Sequence, residues 1–409
     1  MTMLVETRPE TIEEFISKIR EWHESDHDGF RTKYEAAIAD VMPPPSWPSD
    51  GPYYDWRNAG IDELCAFFED WYNTEPTVKT SLDYIEKFSW INYENYAGME
   101  FVTTGPGLEM TADFTYLQGK QMDDPKSKSL ISKWIKDIGT KRMEDYEIED
   151  WETFNEFFLK KVKPGKRKID GENDLSVVVA PTDCIINMIV DNLTAETRIP
   201  VKSVAMNVRQ LLNGSELADR FVGGTAVSCI LMPDTYHWYH APVGGKVVDS
   251  DDSVGGIYYG MWDFPELLNN NNVGYNYDYG MFDRFRRGYA IFETPYLDKD
   301  GKQEKKPGYV GLVAVGLNSI ASVEFDEAYQ KITYGETDPV PIKKGGRVGH
   351  IKYGGSLNIL LFEKGRFPAI QLQQGQRIGV LEHIERTEAL FNRPRHMRAL
   401  GHMPFATQY

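Results

Sequence analysis

The chain has 409 residues, 41% of them hydrophobic, enough to bury a sizeable core in one large or two unequal domains. Its 45 basic and 62 acidic residues leave a net charge of −17, a surface that repels phosphate backbones and anionic headgroups, so no nucleic-acid partner is expected and membrane contact is expected to be peripheral at most. Three dispersed cysteines, Cys65, Cys184 and Cys229, argue against a disulfide framework or a zinc site, and without a leader-like N-terminus or an apolar run of bilayer length the chain reads as cytoplasmic.

In chain order, Thr11-x-x-Glu14 has the form of a capping box and opens a helix with Ile12, Phe15, Ile16, Ile19 and Trp22 on one stripe. A run rich in proline from Met42 to Pro52 breaks it. A second stripe follows (Ile61, Leu64, Cys65, Phe68, Trp71, Tyr72) and then a third (Leu130, Ile131, Trp134, Ile135, Ile138). Glu13, Glu14, Glu21, Glu24, Asp26 and Asp28 accompany the first helix, where a helix lying on a membrane would carry lysine and arginine, so these stripes are read as core.

From about residue 175 the pattern turns to short β-rich runs: 177–179, 185–190, 227–232 and 309–315. Residues 204–217 read as an occasional helix. Residues 250–288, with their tyrosines and the run Asn269 to Asn272, read as a loop that either walls a pocket or is a surface excursion. The expected fold class is α+β: a mainly helical accessory region over residues 1–145, then a β-rich barrel or sandwich over 146–409 that carries the chemistry.

Gly354-Gly355-Ser356 stands directly before the apolar run Leu357 to Phe362. Two glycines reach dihedrals that a Cβ forbids and leave the Gly355 carbonyl open to the Ser356 hydroxyl; the same residues also suit an ordinary turn or bulge. His237 and His240, three apart, would face opposite sides of a strand unless a turn or bulge intervenes, and beside tyrosines and a tryptophan either could be a packed core histidine. Asp183 could be a turn former, and His350 could face solvent. The remaining histidines show no metal-ligand spacing, so no metal is expected.

Taken together, the order of Ala180-Pro181-Thr182-Asp183-Cys184, then Tyr236-His237-Trp238-Tyr239-His240-Ala241-Pro242-Val243-Gly244, then Gly355-Ser356 before a strand resembles the phosphatidylserine decarboxylase family of pyruvoyl-dependent enzymes. Phe154 to Arg167 is similar to that family's Phe-Phe-x-Arg-x-Leu-Lys-Pro-Gly segment, and Val315 to Val323 to its Val-Gly-Ala-x-x-Val-Gly-Ser strand. The resemblance covers roughly residues 150–385. It implies cleavage of the chain between Gly355 and Ser356, with Ser356 as nucleophile, His240 as its base and Asp183 orienting the ring. Ser356 would become a pyruvoyl group that accepts electrons as carbon dioxide leaves, and His237 would protonate Cα.

Three departures mark a divergent branch: Asp183-Cys184 where phospholipid-acting members have Asp-Gly, Leu357 where they have Thr or Ser, and Gly354-Gly355-Ser356 where they read Leu-Gly-Ser or Val-Gly-Ser. The implied substrate bears an amine. Phosphatidylserine is the first choice and a free, aromatic amino acid the alternative. Self-association into a homo-oligomer stays open. A reading of another class is a carrier similar to lipoyl domains, suggested by Ala241-Pro242-Val243-Gly244-Gly245-Lys246-Val247, although no exposed Met-Lys-Met turn accompanies it.

Overall fold

A computed structural model of the chain describes residues 8–41, 43, 54–78, 83–92, 95–190, 192–194, 199–201, 204–231, 234–255, 286–316, 322–354, 356–367 and 370. Among the described residues the first part of the chain is helical: α1 (Ile12–Ser25), α2 (Phe30–Ala39), α3 (Ile61–Asn73), α4 (Asp83–Ser89), α5 (Tyr96–Thr103), α6 (Gly105–Asp123), α7 (Lys128–Ile138), α8 (Thr140–Met143) and α9 (Phe154–Phe158). Thr11 caps α1, its hydroxyl accepting from Glu14 N–H at 3.2 Å, and such a cap is worth about 1 kcal/mol. The reciprocal arm of the expected box is absent, because the Glu14 carboxylate bonds Glu10 N–H instead.

The three stripes pack as expected. Ile12, Phe15, Ile19 and Trp22 of α1 join Leu64, Cys65, Phe68 and Trp71 of α3 in one aromatic core, to which Phe67 also belongs. At its centre runs α6, 19 residues long, with Met110, Phe114 and Leu117 in this core and Met122 in a second one. Its buried face includes Thr111, Asp113, Thr115 and Gln118, which interrupt the apolar stripe, and this is why periodicity did not single it out. The second core joins α7 (Leu130, Ile131, Trp134, Ile138) to α9 (Phe154, Phe157, Phe158) and to Tyr353 from the far end of the chain.

The strands are β1 (Ile185–Val190), β2 (Ile199–Val201), β3 (Val204–Met206), β4 (Thr225–Leu231), β5 (Trp238–His240), β6 (Gly245–Val254), β7 (Arg287–Thr294), β8 (Gly308–Gly316), β9 (Val323–Phe325), β10 (Lys331–Ile332), β11 (Val340–Ile342), β12 (Arg347–Ile351) and β13 (Ser356–Phe362). The large antiparallel sheet has the order β1-β4-β13-β8-β7-β6-β10, with β11 also on β6; β5-β12-β9 form a small sheet. Alternate residues of β13 serve two cores. Leu357, Ile359 and Leu361 pack with Leu211, Leu217 and Phe221, whereas Leu360 and Phe362 pack towards Tyr239, Val323 and Val348 of the small sheet. The fold is therefore α+β, and of the two β architectures expected it is the sandwich, its sheets not closing into a barrel.

Two local expectations fail. Residues 177–179 form no strand; Val179 N–H is satisfied singly, by Pro242 O at 3.0 Å. Residues 204–217 are not one helix but β3 and a single turn, α10 (Val208–Leu211), because Asn207 caps there and Asn213 and Gly214, both at positive φ, end it. Of the loop expected at 250–288, residues 256–285 lie outside the described residues, while 250–254 belong to β6 and 287–288 to β7.

Candidate active site

The sheet register brings the sequence-derived residues to one end of the sandwich. Ile185 pairs with Ile230, and Leu231 pairs with Ser356, so Asp183-Cys184, the end of β4 and the start of β13 lie side by side across three neighbouring strands. Ser356 is flanked on its other side by Gly316 of β8. Its side chain, and Gly355, lie outside the described residues. Gly354 just before has φ +145°, a backbone that glycine alone adopts without strain.

Asp183 and His240 line one cavity of about 640 Å³, with Tyr236, Gly345, Lys163, Arg167 and Lys168 among its other walls. The chain is strapped to make this so: His240 N–H donates to Pro181 O at 2.8 Å, and the Thr182 hydroxyl donates to Tyr236 O at 2.8 Å. The two groups do not bond each other. The Asp183 carboxylate is held by Arg167, Nε to Oδ1 at 2.9 Å and Nη2 to Oδ2 at 2.8 Å, a bidentate geometry. His240 Nδ1 lies 2.8 Å from Gly345 O and Nε2 2.9 Å from the Tyr236 hydroxyl.

A carbonyl only accepts, so Nδ1 of His240 carries the proton and the Nε2 lone pair accepts from Tyr236 O–H. In this arrangement Gly345 O, and not Asp183, holds the His240 ring by a hydrogen bond. Gly345 takes φ +71°, and a Cβ there would strike Ile169, so only glycine presents that carbonyl. Burial lowers the His240 pKa, keeping the ring neutral and basic-site-free of a proton; burial also raises Tyr236 to about 12.

His237 is not in the cavity. It precedes β5, is fully buried, and lies under Phe158 at 4.0 Å between ring centroids. Its Nδ1 donates to Thr235 O at 3.0 Å, a carbonyl shared with the buried Lys160 ammonium at 3.1 Å, and burial pushes Lys160 down to about 8. Only His240 of the two histidines lies within β5, and the register irregularity in this sheet falls on β12, between Arg347 and Gly349. His350 does not face open solvent: it pairs with Glu324 at 3.3 Å beside the Trp238 ring. Among the described residues no cluster suited to a metal ion occurs.

Sequence reasoning gave no role to Arg167, Tyr236 or Gly345. Signals existed: Arg167 closes the Lys-Pro-Gly segment, Tyr236 adjoins the histidine pair, and Gly345-Gly346 marks a turn.

A family model described as Phosphatidylserine decarboxylase matches residues 154–384, more than half of the chain. Among curated relatives, the phosphatidylserine decarboxylase proenzyme of Fusobacterium nucleatum is 28% identical over 250 residues, covering 61% of this chain and 72% of its own length. The proenzyme of Anoxybacillus flavithermus is 27% identical over 271 residues (64% and 89%), and that of Clostridium novyi 28% over 278 (68% and 82%).

Proposed function

Since the chain belongs to the phosphatidylserine decarboxylase family, we propose that it is a proenzyme that cuts itself between Gly355 and Ser356 and then converts phosphatidylserine to phosphatidylethanolamine and carbon dioxide. The observation that carries this reading is the register that sets Ser356, after a glycine at φ +145°, at the same end of the sheet as Asp183 and the cavity holding His240. Residues 1–145 would be the accessory part and 146–409 the catalytic part.

In maturation, His240 Nε2 takes the Ser356 hydroxyl proton, passing from the Tyr236 hydroxyl to the serine. Oγ adds to the Gly355 carbonyl, the peptide C–N bond breaks and its nitrogen gains a proton. Loss of the Cα proton expels the Gly355 carboxylate from Cβ, and water then replaces the nitrogen as ammonia. Asp183 and Gly345 O stabilise the imidazolium formed on the way. The location of Ser356 fits the pyruvoyl group it would become: it begins a strand held on both sides by β4 and β8, so the new chain end stays anchored. That group supplies an electron sink for decarboxylation. His237, its Nδ1 donating to Thr235 O, would give a proton to Cα from Nε2 as the doubly protonated imidazolium.

Lys163 and Lys168 on the cavity wall suit a phosphodiester in a chain whose net charge is −17, and the relatives' names favour the phospholipid over a free amino acid. Neither that alternative nor the lipoyl-like carrier is favoured. Among the described residues no helix is long and apolar enough to cross a membrane.

The test is intact mass and denaturing electrophoresis of wild type, Ser356→Ala, Asp183→Asn and His240→Ala. Wild type should yield residues 1–355 and 356–409, Ser356→Ala one full-length chain, and the other two slow or absent cutting. Carbon dioxide release from phosphatidylserine vesicles, against free L-amino acids, tests the substrate. Cutting of Ser356→Ala sinks the pyruvoyl reading; release from amino acids alone sinks the phospholipid.

A further inference from the structure

Between β12, ending at Ile351, and β13, beginning at Ser356, a short turn carries the bond that would be cut, and the helical region holds that turn by its upstream side. Tyr353 is 2% exposed. Its ring meets Trp134, Phe154 and Phe158 at centroid distances of 5.8, 5.2 and 5.4 Å, each nearly edge to face. Its backbone N–H donates to Asn155 Oδ1 at 3.0 Å, and Asn155 Nδ2 donates to Asp123 Oδ1 at 2.9 Å. The Asp123 carboxylate accepts only, so it fixes which way the Asn155 amide faces and leaves Oδ1 for Tyr353. Asp123 ends α6, and its Oδ2 lies 3.8 Å from Lys352 Nζ. Both residues before Gly354 are thereby tied to the helices.

We propose that Asn155 is a positioning residue for self-cleavage: with Asp123 it anchors Tyr353 so that the carbonyl two residues on is presented to Ser356. This rests on the reading that the 355–356 bond is the one cut. The physical need comes from the glycines. Gly354 and Gly355 swivel freely in any unanchored chain, whereas attack needs the reacting atoms about 3 to 3.5 Å apart and aligned. Holding the strand β13 fixes the nucleophile; only an upstream anchor fixes the carbonyl. Asn155, 4% exposed and with both ends of its amide engaged, is such an anchor.

Uncut precursor, made by cell-free synthesis, is followed by intact mass for wild type, Asn155→Ala, Asn155→Leu (which fills the volume without an acceptor) and Asp123→Asn. The expected half-time of cutting rises about tenfold or more for both Asn155 variants, since a small misplacement can cost up to about 10² in rate, and by less for Asp123→Asn. The fraction that does mature should decarboxylate with kcat within about twofold of wild type, because the cavity and His237 are untouched. Melting of the same substitutions in the Ser356→Ala background reports folding separately. Should both Asn155 variants fail to fold, Asp123→Asn decides, its side chain being 52% exposed. Cutting at the wild-type rate in the folded variants overturns the proposal, as does slow cutting matched by an equal fall in kcat of the matured fraction. If Ser356→Ala is itself cut, the function reading fails; if it stays whole while Asn155→Leu cuts normally, this inference alone fails.

Discussion

In the proposed reading, His237 and His240 divide two proton transfers between two environments. His240 opens onto a cavity beside Asp183, Tyr236 and Gly345, where a proton can come and go; His237 is sealed under Phe158 with Nδ1 spoken for. Replacing His237 with alanine should therefore leave self-cleavage intact, since Ser356, His240 and Asp183 all remain. Decarboxylation should fall by about 10² to 10⁴, the usual effect of losing a well-placed general acid. Single-turnover carbon dioxide release from the cut variant checks this, and wild-type turnover there would make His237 a packing residue only. The same scale separates readable residue types from unreadable partners: Asp183 and the histidines stand out in sequence, but that Arg167 takes the carboxylate and Gly345 O the ring nitrogen follows from where loops cross.

At the scale of elements, the small sheet is fastened by a charge cluster. Glu324 of β9 accepts from His350 of β12 and from Ser322, with Lys352 at 3.4 Å, and these partners, His350 foremost, hold its carboxyl down to about 2 from an ordinary 4.5. A carboxyl depressed by folding contributes stability that is present above about pH 4.5 and is lost as pH falls towards 2. Wild type should thus melt above Glu324→Gln at pH 6, and the gap should close between pH 4.5 and 2.5. Thermal melts across that range measure it; a gap independent of pH would show that the cluster contributes nothing through its charge. Since β12 feeds directly into the turn before Ser356, acid should loosen that turn first.

For the whole molecule, what decides is where the proposed cut falls. β13 lies inside the large sheet, paired along its whole length with β4 and β8, and its apolar residues enter both cores. Cleavage before Ser356 removes one covalent bond and no ladder. The two pieces should accordingly stay together: native mass spectrometry of the matured protein should give one species near 46.8 kDa or a multiple of it, separating only in denaturant. Recovery of the 356–409 piece free in native buffer would contradict this. The helical region belongs to the same logic, since its second core contains Tyr353 beside the cut.

The amino-acid order alone determined the α+β class, three helical stripes and the approximate places of three of the four apolar runs, and it singled out Asp183, His237, His240 and Ser356 as candidates, because periodicity and glycine-histidine motifs are written in neighbouring residues. The fourth run, 177–179, proved to be no strand, and α6 stayed hidden because Thr111, Asp113, Thr115 and Gln118 interrupt its buried face. Tertiary structure alone decided the rest. It chose a sandwich over a barrel, gave His240 a carbonyl partner 105 residues away, and set Asn155 against a backbone 198 residues downstream. Such contacts carry no local signature, since any asparagine or glycine carbonyl could make them; only the antiparallel path of β4, β13 and β12 brings these particular ones together.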